Sequence, residues 1–381
     1  MLKLNIIIAL LFCFSIPISV HDTISKLDVQ ASTQLNINDF SFTEISDMPF
    51  QQTNNTHFTR NITPTNVINN NIYLFGGYLG QQSNGRYICT NNVYIYNIQN
   101  NSWRIIENSL AYGAQLINGK AVYYNSNFYW APTFASGDSN GWGSHQKISQ
   151  FSIDSNTSRE IIDLRNSRIW GVATELYNDI IYFFGGHDGS DRSFIWSFNI
   201  ETETVQQVGS LSIGRGHASA IEFNGKIYIM GGRSAAQGNL IEVFNPENNT
   251  ISSLTSTFGF TGSSRNFFLY PWQGQDGESI FIISQHDNTL WALKPESDQL
   301  YKVGDLPDNF AGPGTYDPVN GGFYVMVPGN DINYRTKLMK ISEWHEIDDC
   351  ESDLSVDGFI FEREGINDDF EGSITRLLKI V

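Results

Sequence analysis

Residues 225–232 read GKIYIMGG, a short run of β-branched and aromatic residues that ends abruptly in two glycines. Residues 179–186 (DIIYFFGG) and 71–77 (NIYLFGG) repeat the pattern, and residues 127–132 (NFYWAP) echo it without the glycines. Runs of this composition are typical of β-strands. A Gly-Gly pair adopts positive φ readily and lets neighbouring backbone approach closely. The pattern therefore predicts the same kind of strand in four successive repeats.

Two further apolar runs follow these strands in three of the repeats, and a polar turn separates the two runs. After the strand at 71–77 the runs are 92–97 and 102–106, joined by a turn rich in Asn. The corresponding pairs in the later repeats are 194–199 with 204–208, and 240–245 with 250–254. Strand, turn and strand at this spacing predict one small antiparallel sheet for each repeat.

This repeat resembles the kelch repeat, whose period is about fifty residues and whose every copy forms one four-stranded propeller blade. The resemblance covers the chain from about Phe40 to about Glu346 and is clean in three repeats. It implies an all-β fold, a kelch-type β-propeller. Two degenerate repeats at 279–284 and 322–327 bring the count to six blades. Seven blades, with one more near a terminus, are the alternative.

The ends of the repeat region predict how the ring closes. Residues 39–49 have the pattern of a final blade strand but no partners of their own, and residues 337–342 form the last predicted strand. We expect the N-terminal strand to pair with the last blade, because such pairing removes an open seam. We place the propeller at residues 38–347.

The chain termini lie outside the repeats. Residues 1–20 carry Lys3, an apolar run from 6 to 18 and the small residue Ser19, which together predict a secretory signal peptide. An uncleaved anchor is the alternative, but the apolar run is short for a membrane-spanning helix. Residues 348–381 are acidic and lack the repeat, so we expect a solvated tail. The mature protein is expected to be secreted, or to reside in the lumen of the secretory pathway, without membrane insertion.

The charge of the chain excludes one class of partner, and its cysteines and sequons are those expected of a secreted protein. The net charge is −17, with 23 basic against 40 acidic residues, which argues against a nucleic-acid partner because phosphate binding needs a concentrated basic face. Once Cys13 leaves with the signal, Cys89 and Cys350 remain, either as one disulfide or as two thiols. Five glycosylation sequons fit a secreted protein, at Asn54, Asn61, Asn100, Asn156 and Asn248.

Candidate ligand-binding residues precede the Gly-Gly strands, on the innermost strand of each blade. They are Arg168, Trp170, Arg215, His217 and Arg265. Arginines gathered at the mouth of the channel could bind the carboxylate of an anionic sugar. The alternative is structural, because Arg and His at this place in kelch repeats often bond the backbone of neighbouring blades. Loop residues Trp142, the segment 187–189 (HDG) and Trp272 are further candidates for a ligand surface.

Three function hypotheses follow from the resemblance. The first, which we favour, is a secreted monomeric module that binds a protein or a glycan without catalysis. The second is a carbohydrate-active enzyme, because kelch-type propellers include a sialic acid mutarotase and the copper enzyme galactose oxidase. The third is a structural component of an extracellular matrix or secretory granule. The histidines within the repeats lack metal-ligand spacing, and no pair of them accompanies Cys89, so we expect no metal centre and no cofactor.

Overall fold

The computed structural model describes residues 34–49, 64–81, 87–111, 114–115, 120–131, 133–135, 144–145, 147–163, 171–259, 263–265, 267–274, 277–285, 287–307, 313–319, 321–328 and 336–343. The chain groups into two compact units, Met1–Glu343 and Trp344–Val381, and the described residues belong to the first. The predicted signal peptide (1–20) and acidic tail (348–381) lie outside the described residues. The boundaries at 38 and 347 therefore stay predictions.

The first half of the described chain contains three four-stranded sheets. A single turn of 3-10 helix (Ile37–Asp39) leads into β1 (Phe40–Asp47). Sheet 1 and a small hairpin inserted in it comprise β2 (Pro64–Ile68), β3 (Asn71–Phe75), β4 (Tyr78–Gln81), β5 (Tyr87–Cys89), β6 (Val93–Asn97) and β7 (Ser102–Ile106). Sheet 2 and its insertion comprise β8 (Ala114–Gln115), β9 (Val122–Tyr124), β10 (Asn127–Trp130), β11 (Thr133–Ala135), β12 (Ser144–His145), β13 (Lys147–Ser152) and β14 (Thr157–Asp163). Sheet 3 comprises β15 (Ala173–Tyr177), β16 (Ile180–Phe184), β17 (Phe194–Asn199) and β18 (Thr204–Ser210).

The second half repeats the arrangement. Sheet 4 comprises β19 (Ala218–Phe223), β20 (Lys226–Ser234), the short helix α1 (Ala235–Asn239), β21 (Glu242–Asn245) and β22 (Thr250–Ser253). Next come β23 (Ser263–Arg265), which pairs with β20, and sheet 5 with β24 (Phe267–Gly274), β25 (Gly277–Ser284), β26 (Thr289–Lys294) and β27 (Gln299–Asp305). Sheet 6 comprises β28 (Gly314–Tyr316), β29 (Phe323–Pro328) and β30 (Thr336–Glu343), with β1 as its fourth strand.

The six sheets are the blades of a β-propeller, as the repeat count predicts. Within each sheet, neighbouring strands are antiparallel. Each innermost strand (β2, β9, β15, β19, β24 and β28) contacts that of the next sheet, and β28 contacts β2. This radial arrangement gives every sheet two neighbours.

The hydrophobic core is divided into clusters that lie between neighbouring sheets. Between sheets 1 and 2, for example, the ring of Phe75 stacks on that of Trp130 with 5.3 Å between centroids. Because both faces of a blade are covered, its second strand is almost continuously apolar rather than alternating. In β3, Ile72 and Leu74 pack toward sheet 6, whereas Tyr73 and Phe75 pack toward sheet 2. The sequence pattern at 71–77 follows from this two-sided burial.

The N-terminal strand β1 contacts three sheets. It runs antiparallel to β30, with Phe40 opposite Glu343 and Asp47 opposite Lys337. Phe40 is buried against Phe281 of sheet 5, at 5.7 Å between ring centroids. The indole nitrogen of Trp103, in sheet 1, donates a hydrogen bond of 2.9 Å to Ser46. That these contacts hold the ring closed stays a prediction.

Candidate partner-binding surface

The antiparallel order of the strands gives each blade two different ends. The turn between the first two strands and the turn between the last two lie at one end, which we call the turn edge. The connection between the second and third strands lies at the other end, the loop edge, where the chain also crosses to the next blade. Loops at one end of such a scaffold are the usual place for binding residues.

In sheet 3, the loop-edge connection is residues 185–193, and it is held by its own polar side chains. The Nδ1 atom of His187 lies 2.7 Å from Oδ1 of Asp191. The guanidinium of Arg192 donates two hydrogen bonds to the carboxylate of Asp188, at 2.7 and 2.6 Å. These bonds lower the pKa of Asp188 below its ordinary value, because they favour the charged carboxylate. The loop is thus a defined structure with charged groups at its surface.

Sheet 4 contributes to the same surface from the end of β20 and from α1. One terminal nitrogen of Arg233 lies 2.5 Å from the ring of His187 and 3.6 Å from Oδ1 of Asp191. The amide nitrogen of Gln237, in α1, donates to Oδ2 of Asp191 at 2.6 Å and to the carbonyl of Gly214 at 2.7 Å. Two neighbouring blades are therefore joined through Asp191.

The polar cluster, as we call His187, Asp188, Asp191, Arg192 and Arg233, is partly exposed. The side chains of Arg192 and Arg233 are 44% and 40% exposed, whereas that of His187 is 13% exposed. The two arginines and two aspartates cancel in formal charge. The cluster thus presents hydrogen-bond donors and acceptors in fixed positions without a strong net charge.

Beneath the polar cluster, Arg215 is fully buried. Its Nε donates to the carboxylate of Glu242 at 2.7 Å, and its terminal nitrogens donate to the carbonyls of Gly231, Gln237 and Leu240 at 2.6 to 2.8 Å. Burial lowers the pKa of Arg215, and the charge of Glu242 acts in the opposite direction.

The other oxygen of Glu242 accepts bonds from Ser212, from its backbone nitrogen at 2.6 Å and its hydroxyl at 2.7 Å. The side chain of Arg215 thus supports the loop of its own blade, and this favours the structural alternative over ligand binding. Its link to the preceding blade, sheet 3, is the backbone carbonyl, which accepts from the backbone nitrogen of Gly186 at 2.6 Å.

The close approach of that carbonyl explains the Gly-Gly pair of sheet 3. Gly185 has φ of +65°, and a Cβ at this position would collide with the carbonyl oxygen of Arg215. His217 joins the same two blades, because its backbone nitrogen donates to Gly171 at 2.8 Å and its ring packs against that glycine. Arg215 and His217, both predicted for blade four, therefore each form a backbone hydrogen bond to sheet 3.

Of the remaining predicted residues, some lie outside the described part of the chain. Arg168 and Trp170 lie outside the described residues, as do Trp142, Asn54, Asn61 and Cys350. Arg265 lies in β23, where its backbone pairs with that of Gly232 in β20. Cys89 is buried, and burial raises the pKa of its thiol to about 12. Its pairing with Cys350 stays a prediction.

Sequence reasoning found His187 and Asp188 as part of a loop candidate but missed Asp191, Arg192 and Arg233. A signal for two members of the cluster was present in the repeat itself. His187 directly follows Gly185-Gly186, and Arg233 directly follows Gly231-Gly232. His187 lies three residues beyond the end of β16, and Arg233 is the second-last residue of β20. The residue after the Gly-Gly pair thus recurs at the loop edge of neighbouring blades.

The described residues also bear on metal binding and on membrane-spanning helices. Within the part of the chain that the structure describes, no group of three or more His, Cys, Asp or Glu side chains could hold a metal ion. The same part contains no helix that is long and apolar enough to cross a membrane.

Comparison with known proteins identifies the family. Residues 65–283 match the model of the KLHDC2/KLHL20/DRC7 Kelch-repeats domain, which is more than half of the chain. The chain therefore belongs to the kelch-repeat family of β-propellers. A search of curated proteins found no match. Kelch propellers commonly bind protein partners, so the fold indicates a protein-interaction module.

Proposed function

We propose that this chain is a secreted, monomeric and non-catalytic module that binds a protein partner through the polar cluster at its loop edge. The observation that supports this most is the pair of half-exposed arginines, Arg192 and Arg233, held in place by Asp188 and Asp191. Arginine is enriched among the residues that dominate protein–protein binding. Fixing its side chain before binding lowers the entropic cost of association.

A protein is favoured over a glycan because kelch propellers commonly bind protein partners. Secretion is proposed on residues 1–20 and on the sequons.

The test is site-specific photo-crosslinking with the full chain, secreted under its own leader from cells of the source organism. A benzophenone amino acid replaces Ser190 in one preparation and Val319 in the control. Ser190 is exposed beside the polar cluster, in the loop 185–193, and its replacement leaves both arginines in place. Val319 is 79% exposed and lies in the turn between β28 and β29, at the turn edge. We expect one protein to be crosslinked from position 190 and not from position 319. That protein is called the captured partner below.

Two variants make the result quantitative. Arg233→Ala is expected to weaken binding of the captured partner about tenfold or more, as is typical for a central interface arginine. Lys302→Ala is the control, because Lys302 lies on the outer strand β27 and is 42% exposed. Unchanged binding by Arg233→Ala, with the propeller folded, would overturn the proposed surface. Turnover of sialic acid anomers or oxidation of galactose by the purified protein would overturn the non-catalytic assignment.

A further inference from the structure

The last two strands of five blades are joined by turns of the same length and shape. The turns are residues 98–101, 153–156, 200–203, 246–249 and 295–298, in sheets 1 to 5. In each, the final residue has a positive φ between +46° and +57°, and these residues are Asn101, Asn156, Glu203, Asn249 and Asp298. The turns are therefore equivalent positions, and all of them lie at the turn edge.

All sequons within the described residues fall in these turns. Asn100 and Asn248 are each the third residue of a turn, and Asn156 is the fourth residue of the turn in sheet 2. Asn100 and Asn248 are exposed, and Asn156 is half-buried. The amide oxygen of Asn248 accepts bonds from the backbone and hydroxyl of Thr250, at 3.2 and 2.7 Å. These bonds use the oxygen, whereas a glycan attaches through the amide nitrogen.

We propose that Asn100, Asn156 and Asn248 carry N-linked glycans, so that carbohydrate covers the turn edge of sheets 1, 2 and 4, at the opposite end of the blades from the polar cluster. This inference rests on the proposed secretion. In the transfer, the amide nitrogen of Asn bonds to the anomeric carbon of an oligosaccharide. The bond from that carbon to the pyrophosphate of a lipid-linked donor breaks, and the amide loses one proton.

The glycans have a second consequence for the outer strands. Each of β7, β14 and β22 begins within two residues of one of these asparagines and is the last strand of its sheet. Such an edge strand is a template for pairing with another chain unless something covers it. The equivalent turns of sheets 3 and 5 carry two carboxylates each, Glu201 with Glu203 and Glu296 with Asp298. Charged side chains also protect an outer strand from pairing with another chain.

The site test is peptide mass analysis of the protein secreted under its own residues 1–20. A peptide N-glycosidase in heavy-oxygen water converts each glycosylated Asn into a labelled Asp. We expect label at positions 100, 156 and 248. The variant Thr202→Asn creates the equivalent sequon in sheet 3, completed by Glu203 and Thr204, and should gain one further labelled site. Unlabelled peptides at any of the three asparagines would overturn the inference for that turn.

A second preparation separates this inference from the proposed secretion. It carries a leader of known efficiency in place of residues 1–20. If it alone reaches the medium, the proposed secretion is wrong and the turns are judged on this preparation. Unlabelled turns there overturn the glycan inference independently of the native leader.

The role of the glycans at the outer strands is tested with the triple variant Asn100→Gln, Asn156→Gly and Asn248→Gln. Gln removes the sequon without adding a charge to the turn edge, and Gly suits the positive φ of residue 156. We expect unchanged thermal unfolding but a shift from monomers to dimers and larger species in sedimentation velocity. A triple variant that stays as monomeric as the glycosylated protein would overturn the protective role.

Discussion

The guanidinium of Arg215 and the carboxylate of Glu242 are both completely buried, and each has several further hydrogen bonds. Two buried charges are tolerated only when they are paired and fully hydrogen-bonded. Because the bonds of Arg215 end on β20, on α1 and on Leu240, which directly follows α1, the pair fixes the loop next to Arg233. The polar cluster is thus positioned by a residue that does not itself reach the surface.

At the residue scale, removing one partner of this buried pair should destabilise the whole propeller. Arg215→Met and Glu242→Gln are each expected to lower the free energy of unfolding by about 3–5 kcal/mol, because a charge or a donor stays buried without its partner. The double variant Arg215→Met, Glu242→Leu should recover only part of this loss, because it leaves no unpaired charge but does leave backbone carbonyls without their donor. Urea unfolding measures the free energy of unfolding of the two single variants and of the double variant.

The matched control is the exposed ion pair between Arg159 and Glu203, which joins sheets 2 and 3. Arg159→Ala should cost about 0–1 kcal/mol, the usual range for a surface pair. If the single variants of the buried pair lose no more free energy of unfolding than this control, the role assigned to Arg215 is contradicted.

At the scale of elements, the sequence predicts strands well where burial on two sides makes a continuous apolar run. The predicted strands 102–106 and 194–199 match β7 and β17. Strand β20 extends beyond its predicted end at the Gly-Gly pair as far as Ser234, because β23 pairs with the added residues. Such pairing depends on residues about thirty positions apart and leaves no local pattern.

The candidate site was less predictable than the strands. The sequence points to Arg215, yet its structural role depends on Glu242 and on carbonyls of a loop that no periodicity places. Arg233 and Asp191 come together only when two blades pack. A pattern within one repeat cannot encode a contact between repeats, so these residues were missed.

The turns between the last two strands of sheets 1 to 5 lead to a prediction about the stability of variants at their final residue. Asn249 has φ of +57°, a conformation that Asn and Gly tolerate and β-branched residues do not. Asn249→Val should therefore lower the free energy of unfolding by about 1–2 kcal/mol. Asn249→Gly should stay within about 0.5 kcal/mol of the parent. Urea unfolding of the two variants compares them directly, and equal stability would contradict the assigned turn.

At the scale of the whole molecule, β1 joins sequence-distant parts of the ring. Phe40 is 6% exposed in the cluster between sheets 5 and 6, and Met48 is 4% exposed in the cluster between sheets 6 and 1. One strand near the start of the chain thus completes two of the cores around the last blade. We therefore expect the first and last blades to unfold together, as parts of one cooperative unit.

If β1 holds the ring closed, shortening the buried side chain of Phe40, in β1, or of Met48, directly after it, should destabilise the entire propeller. Phe40→Ala is expected to cost about 3–5 kcal/mol and Met48→Ala about 2–5 kcal/mol, in a single unfolding transition. The control is Ile105→Ala, because Ile105 is 39% exposed on an outer strand. Phe40→Ala with the stability of the control, or local fraying of sheet 6 alone, would contradict closure by β1.

In the proposed arrangement the partner binds at the loop edge, while the turn edge is free to carry glycans. Asp188→Asn creates a sequon within the polar cluster, completed by Gly189 and Ser190, and Thr202→Asn creates one at the turn edge. Asp188→Asn with Ser190→Ala is the control for the first variant, because it keeps the substitution but removes the sequon. All three proteins are secreted from cells that glycosylate, and their glycans are verified by mass.

The deciding measurement is the affinity of these three proteins for the captured partner. We predict that the glycan at position 188 weakens binding about tenfold or more relative to its unglycosylated control, since bulk at the contact excludes the partner. The glycan at position 202 should leave binding unchanged. The opposite result, normal binding with a glycan at 188 and loss of binding with one at 202, would contradict the account and place the partner at the turn edge.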